Sequence, residues 1–498
     1  MAQIFKPKKN TKRKAHTPTQ VSSSFTAMTL HSQAIDRDHE PVVIANGALP
    51  GETCQVNITQ KRKNVWLGDV SKVLEPATIR KVPDCPHALG HFAAQTPRCG
   101  GCQFAYVDAE AGLALKQDTL SQALTREYGI SKEVWTPPVA SPEAYRRKVR
   151  LAIDARNANA PKIGFRQAQS KAVVPIDHCR VVIPELQDAL SLLTQQTWTW
   201  LNKVGHIELL HVREGIVVVF HAAKPLPLQA FKEMSYWRTQ LREKLANPSS
   251  MRLSTSQQST AGTTSEEAVE DSIHFVINRK ALDVSNAAIT WLSSQNYGVL
   301  EQSSQCVTPA FTLSSANDLA IPVQVDDFMQ VNSVVNTHMV SAAITALALA
   351  AEDRVLDLFC GSGNFTLPIA STGVSVLGVE GVASMVDQAN AAALSQGLTN
   401  ASFIHADLTE LNVIPAIQSL APNKLLLDPA RQGAHTILAN MDLSAIERIV
   451  YVSCQPQTWL TDIGVLLDSG FVLKQAYCMD MFRETTHTEL FSVLVKSA

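Results

Sequence analysis

Four of the chain's nine cysteines form its most specific spacing pattern: Cys85 in DCPHALG, Cys99 and Cys102 in RCGGCQF, and Cys179 far along in IDHCRVV. A tight C-x-x-C with one earlier and one distant partner suits a tetrahedral zinc or an iron–sulfur cluster, since both need thiolate ligands. Spacing does not choose between them, and His87 or His91 could complete a zinc site. A second constellation lies in the last third of the chain. Leu356-Asp357-Leu358-Phe359-Cys360-Gly361-Ser362-Gly363-Asn364-Phe365 reads as a buried strand running into a glycine turn and then a helix. Such a turn lets a ligand approach the backbone closely, where helix N–H groups point outward. Acids follow at the ends of the next apolar runs: Glu380 after SVLGV, Asp407 after FIHA and Asp428 after LLL. A carboxylate at the position of Glu380 can accept both hydroxyls of a ribose. One such acid is ordinarily a helix cap. Several at one edge of one sheet read as a ligand crevice. Cys454, in Ser453-Cys454-Gln455-Pro456 after the strand IVYVS, falls at the same edge, and its Gln-Pro flank is unlike the apolar surroundings that free cysteines usually occupy.

The elements that must position these residues divide the chain. A length of 498 residues predicts roughly three domains. Residues 1–24 are basic and rich in Ser, Thr and Pro, and are expected to be a disordered arm. Residues 25–82 hold short β-like runs (PVVIA, CQVNITQ, NVWLGDV) separated by turns such as Asn46-Gly47, which predicts a small β-barrel. Residues 83–320 mix strands and helices in a central α+β domain, with a polar low-complexity excursion at 248–272. From residue 321 to 498 apolar strands alternate with helical segments, the pattern of a doubly wound, Rossmann-like α/β sheet of parallel strands. No long apolar run predicts a membrane span or signal peptide, so a cytoplasmic protein with reduced thiols is expected. The net charge of −2 leaves nucleic-acid binding to local basic clusters: the arm, Lys61-Arg62-Lys63 beside Trp66, and Arg146-Arg147-Lys148 with Arg150.

The stretches DLFCGSGNFTLPIA, LLLDPARQGA, VYVSCQPQTW and HTELF, in that order, resemble the signature of the RNA (uracil-5)-methyltransferase family, which modifies large-subunit ribosomal RNA and the tRNA T-loop. The resemblance runs from residue 25 to the end. It implies a class I methyltransferase domain with S-adenosylmethionine bound by Gln330 (in DFMQVN), Phe359, Asn364, Glu380, Asp407 and Asp428; at Asp407 family members can have Asn. It also implies a [4Fe-4S] cluster on Cys85, Cys99, Cys102 and Cys179, with a longer Cys85–Cys99 spacing than is usual in the family. The N-terminal barrel resembles the OB-like TRAM module, whose basic groove and aromatics bind single strands.

Carbon 5 of uracil is a poor nucleophile. Adding a thiolate to C6 makes C5 enolate-like, so that it can take a methyl group. A base must then remove the C5 proton. The resemblance assigns the nucleophile to Cys454 and the base to Glu489, with Asp428 and Arg431 assisting. Cys360 reads as packing, and Cys54, Cys306 and Cys478 as inert. The four cluster cysteines and the TRAM-like barrel favour 23S ribosomal RNA as substrate over another ribosomal site or the tRNA T-loop. The uridine should be single-stranded or flipped, and the enzyme a monomer. A non-catalytic iron–sulfur RNA-binding protein is the rival of another class. A radical enzyme would need a C-x3-C-x2-C triad that this chain does not have.

Overall fold

The computed structural model describes residues 19–90, 97–157, 160–168, 170–246, 273–278, 297–300, 311–314, 318–325 and 327–497. His91, Cys306 and the 248–272 excursion lie outside them. The chain divides into two compact units, Met1–Arg80 and Lys81–Ala498.

In the first unit, β1 (Gln20–Phe25), β2 (Ala27–Met28), β3 (Ala34–Asp36), β4 (Val42–Asn46), β5 (Glu52–Lys61) and β6 (Val65–Glu75) form one sheet in the order β1-β5-β6-β4-β3-β2. Alternate residues of β5 (Cys54, Val56, Ile58) point into a core with Phe25, Val43 and Val70. Regular structure reaches into the expected arm, because β1 already pairs with β5 from Gln20. Its serines read as linker, yet Ser23 is buried and donates to Asp36 Oδ2 at 2.6 Å, which satisfies the hydroxyl without an apolar side chain.

The second unit begins with α1 (Ala109–Tyr128) and a sheet of β7 (Lys148–Asp154), β8 (Lys162–Arg166), β9 (Val173–Pro175), β10 (Val204–Val212), β11 (Gly215–Ala222), β12 (Ile273–Asn278) and β13 (Tyr297–Leu300). Their order is β13-β12-β11-β10-β7-β8-β9. Helices α2 (Pro184–Gln195) and α3 (Leu228–Ala246) cover one face, where Leu190, Trp200, Trp237 and Phe220 share a core. The opposite face (Leu210, Val217, Val219) packs with the hairpin of β14 (Phe311–Ser314) and β15 (Ala320–Val323), and with Leu367 and Phe403 of the segment that follows. Part of the basic cluster is consumed here rather than presented to a polyanion. Arg147 is buried with its Nε donating to the Gln330 carbonyl at 2.8 Å, and Lys148 Nζ donates to the Val325 carbonyl at 2.9 Å.

The last sheet comprises β16 (Arg354–Leu358), β17 (Ser375–Glu380), β18 (Ala401–His405), β19 (Lys424–Leu427), β20 (Arg448–Ser453), β21 (Phe471–Met479) and β22 (Glu489–Lys496). It is flanked by α4 (Ser333–Leu347), α5 (Thr366–Ala370), α6 (Ala383–Ser395), α7 (Ile414–Ser419), α8 (His435–Asn440) and α9 (Pro456–Asp468). The order is β18-β17-β16-β19-β20-β22-β21. Strands β16 to β20 are parallel and nearly continuous in apolar residues, as sheets covered on both faces must be. The sheet is not wholly parallel, however: β22 inserts antiparallel between β20 and β21. The β21–β22 connection, residues 480–488, forces that reversal, since it is too short to carry the chain back across the sheet.

Candidate active site

The candidate residues Phe359, Asn364, Glu380, Asp428, Cys454 and Glu489 lie around the carboxyl edge of this mixed sheet. After β16 the chain turns at Phe359, which takes a left-handed φ of 66° although it carries a side chain, and its N–H and that of Cys360 both donate to the Val379 carbonyl. Such a conformation in a bulky residue persists only where its surroundings enforce it. Gly363 follows with φ 91°, where a Cβ would meet Leu367 at 2.9 Å. The helix after the turn, α5, is only five residues long. Cys360 points away from the crevice into the core. A Cβ on Gly378 would stand 2.8 Å from its Sγ, so the missing side chain makes its room. Cys54 and Cys478 are likewise buried.

Glu380 closes this turn on two sides. Its Oε2 accepts the Gly361 N–H and its Oε1 the Val382 N–H, both at 3.0 Å. Asn364 is locked by Asn336 of α4 through reciprocal amide bonds of 2.9 and 3.0 Å. Gln330 is half-buried, its carbonyl fixed by Arg147, two residues before the α4 cap Asn332. Asp407 lies beyond the end of β18 and is exposed. Its Oδ1 accepts the Thr409 hydroxyl and N–H, which hold the carboxyl below the usual range. Beneath the turn, Asp357 is fully buried and its Oδ2 accepts the Thr366 hydroxyl at 2.5 Å. Burial pushes this carboxyl up to about 8, with Asp428 and Glu380 adding their repulsion.

Cys454 and Glu489 come together through the antiparallel ladder. Ser453 of β20 pairs with Leu490 of β22, so the next residues outward, Cys454 and Glu489, stand opposite each other. Directly opposed residues have Cβ atoms about 5 Å apart. Asp428 ends the neighbouring β19, one residue beyond the Leu427–Tyr451 pair. Burial pushes the Asp428 carboxyl up to about 7 and Glu489 well above the carboxylate range, with Asp428 adding to the latter. The Cys454 thiol is pushed up to about 11 by burial and then by Glu489 and Asp428, against the pull of Arg431. One thiol and two carboxyls thus crowd a single desolvated spot. The loop carrying Asp428 and Arg431 is fixed by Asp462, whose Oδ2 accepts the Ala434 N–H at 2.7 Å and the Tyr451 hydroxyl at 2.5 Å.

The four cysteines of the C-x-x-C pattern come from three segments and are free thiols. Cys99 donates its N–H to the His87 carbonyl, and its Sγ accepts the Gly101 N–H at 3.4 Å. The Cys179 N–H donates to Gln187 Oε1 at 3.0 Å. Burial raises the Cys99, Cys102 and Cys179 thiols, and charge on neighbouring cysteines raises each further. Among the described residues no three of these sulfurs lie within 4.8 Å of one another.

Two residues of this region escaped the sequence reading. Asn336 carries no signal of its own. Lys116 does: it sits at a helical spacing with Leu113, Leu120 and Leu124 on the buried face of α1, a position where an apolar residue is expected.

Comparison with known proteins agrees with this geometry. The family described as tRNA (Uracil-5-)-methyltransferase matches residues 316–497. A curated relative from Alteromonas naphthalenivorans, 23S rRNA (uracil(1939)-C(5))-methyltransferase RlmD, is 32% identical over 92% of this chain and 85% of its own. Its namesake from Shewanella sp. (strain ANA-3) is 32% identical over 99% of both chains. Among solved structures, Pyrococcus abyssi tRNA (uracil-54, C5)-methyltransferase in complex with S-adenosyl-L-homocysteine shares the fold, with a TM-score of 0.61, 18% identity, and coverage of 95% of this chain and 100% of that one. With sheet order, edge residues and full-length similarity in agreement, the chain belongs to the RNA (uracil-5)-methyltransferase family.

Proposed function

We propose that this protein transfers the methyl group of S-adenosylmethionine to carbon 5 of one uridine in 23S ribosomal RNA, the position numbered 1939 in its relatives' names. The observation that carries the reading is the juxtaposition of Cys454, Glu489 and Asp428 beside the glycine turn. The residues that would hold the cofactor are Gln330, Phe359, Asn364, Glu380, Asp407 and Asp428. The crowded carboxyls at this edge suit a ligand that carries a sulfonium and an ammonium, because a cation relieves their mutual repulsion. When bound, that cofactor supplies an electrophilic methyl group.

The chain's own residues do the rest. The Cys454 thiol first gives its proton to solvent; the thiolate Sγ then forms a bond to C6 of the uracil, and the electron pair of the C5–C6 double bond moves toward C5 and O4. After C5 has taken the methyl group, Glu489 accepts the C5 proton. The C5–H electron pair restores the double bond, the C6–S bond breaks, and the thiolate leaves. Asp428 and Arg431 flank the ring, with Arg431 as the cation that favours the thiolate. The uridine must leave its stack to reach this edge.

Cys85, Cys99, Cys102 and Cys179 are the ligands of a [4Fe-4S] cluster in this reading. Charge on neighbouring cysteines raises the Cys99, Cys102 and Cys179 thiols, so these sulfurs face one another as the ligands of one group would. A cluster at this place would brace the segments that carry it. The first unit serves as the TRAM-like RNA-binding module: Lys61 Nζ lies 4.5 Å over the half-buried Trp66 ring, so both the charge and the aromatic lie on the β5–β6 hairpin. Residues 83–320 and 321–498 act as the central and the methyltransferase domain.

Tritiated S-adenosylmethionine should label a 23S RNA fragment in preference to a tRNA transcript, and Cys454→Ala should lower the rate by about a thousandfold or more. Stronger labelling of tRNA would redirect the substrate, and an undiminished Cys454→Ala would end the covalent scheme. Because burial, with Glu489 and Asp428, pushes the thiol up to about 11, adduct formation should accelerate about tenfold per pH unit between roughly pH 7 and 9. Glu489→Gln removes one cause of the raised thiol, so its profile should shift to lower pH; an unmoved profile would contradict the coupling. Anaerobically purified protein should contain iron and acid-labile sulfide in equal amounts and lose both in Cys102→Ser. Zinc in their place would refute the cluster.

A further inference from the structure

We infer that Lys116 is a positioning residue for Glu489, holding the 480–488 connection so that the carboxylate stands over the reacting carbon. The inference rests on the reading of Glu489 as the base. Lys116 is 4% exposed, and the ammonium of such a side chain is tolerated only where it is hydrogen-bonded and paired. Its Nζ donates to the Thr485 carbonyl at 2.7 Å and to the His487 carbonyl at 2.8 Å. Asp480 and Cys478 face the same ammonium, and the Phe104 ring lies 5.3 Å from it. Both hydrogen bonds of the Lys116 ammonium therefore go into the hairpin connection that leads to Glu489.

That connection has little regular structure to hold it. Glu484 takes a left-handed φ of 64°, and its carbonyl accepts the Phe104 N–H at 2.8 Å. The Arg483 guanidinium donates to the Ser141 carbonyl at 2.8 Å, and the Thr486 hydroxyl bonds Gln103 at 3.3 Å. Phe104 and Gln103 directly follow Cys102, so the cysteine-bearing segment holds the same connection from its other side. Lys116 secures the two carbonyls that lie two and four residues before the base. Were packing alone required, leucine or methionine would suit this face of α1 better. A buried backbone carbonyl needs a donor, and a lysine with three N–H groups supplies two such carbonyls at once.

The test compares Lys116→Met, Lys116→Gln and Glu489→Gln in the full-length, cluster-loaded enzyme with 23S RNA and tritiated cofactor. If Glu489 is displaced while Cys454 and the cofactor crevice are intact, methyl transfer proceeds but the adduct resolves slowly. Lys116→Met should then lower turnover by about 10- to 100-fold and accumulate a denaturation-resistant, methyl-labelled protein–RNA adduct, as Glu489→Gln does, with S-adenosylhomocysteine affinity unchanged. Lys116→Gln keeps a donor on a shorter arm and should fall between; it carries the test should Lys116→Met fail to melt cooperatively. Parallel loss of adduct and turnover, or wild-type turnover in a folded variant, overturns the inference. An absence of adduct in Glu489→Gln overturns instead the reading of the base on which it rests.

Discussion

The hydrogen bonds that insert β22 antiparallel between β20 and β21 place the start of a strand, rather than its end, at the carboxyl edge of the sheet. In a wholly parallel sheet every residue at that edge follows a strand and is spaced from its neighbours by a crossover. Reversing one strand instead brings a residue remote in sequence directly opposite the end of β20. Cys454 and Glu489 meet for this reason, 35 positions apart along the chain. The Tyr451–Asp462 bond and the Asp462–Ala434 bond then fix the Asp428 loop against the same pair.

Electrostatics follow from that placement. Burial and mutual repulsion hold Asp357, Asp428, Glu489 and Cys454 toward their protonated forms, an arrangement that stores demand for positive charge at one edge. Arg431 is the nearby fixed cation that favours the thiolate. Such clustering of shifted groups is a mark of chemistry more than of stability. In the proposed reaction the opposing requirements on Cys454, unreactive as a half-buried thiol yet nucleophilic as a thiolate, tie its activation to what enters the crevice.

Much of this was legible in the residues. Strands β16 to β20 were visible as apolar runs because parallel strands covered on both faces need no polar alternation. The glycine turn and the acids Glu380 and Asp428 were visible because their positions follow those runs. The reversal of β22 was not, since FSVLVK is apolar whichever way it runs. The start of β1 was missed because serines, satisfied by Asp36 and by strand pairing, look like linker. Lys148 and Arg147 resembled a nucleic-acid patch, but their donors are consumed by backbone carbonyls inside the fold. Asn336 left no trace in the sequence because its side chain acts on Asn364, 28 residues further along the chain.

In the proposed reaction one particular thiol, that of Cys454, attacks the base. RNA carrying 5-fluorouracil at the target position gives an adduct that cannot lose its C5 substituent as a proton, so the attacking residue stays attached. Proteolysis and mass spectrometry of that adduct should find the nucleotide on the peptide containing Ser453-Cys454-Gln455, together with the transferred methyl group. Attachment to Cys360 or to any of the four cluster cysteines, or methylation with no protein-bound nucleotide, would contradict the account.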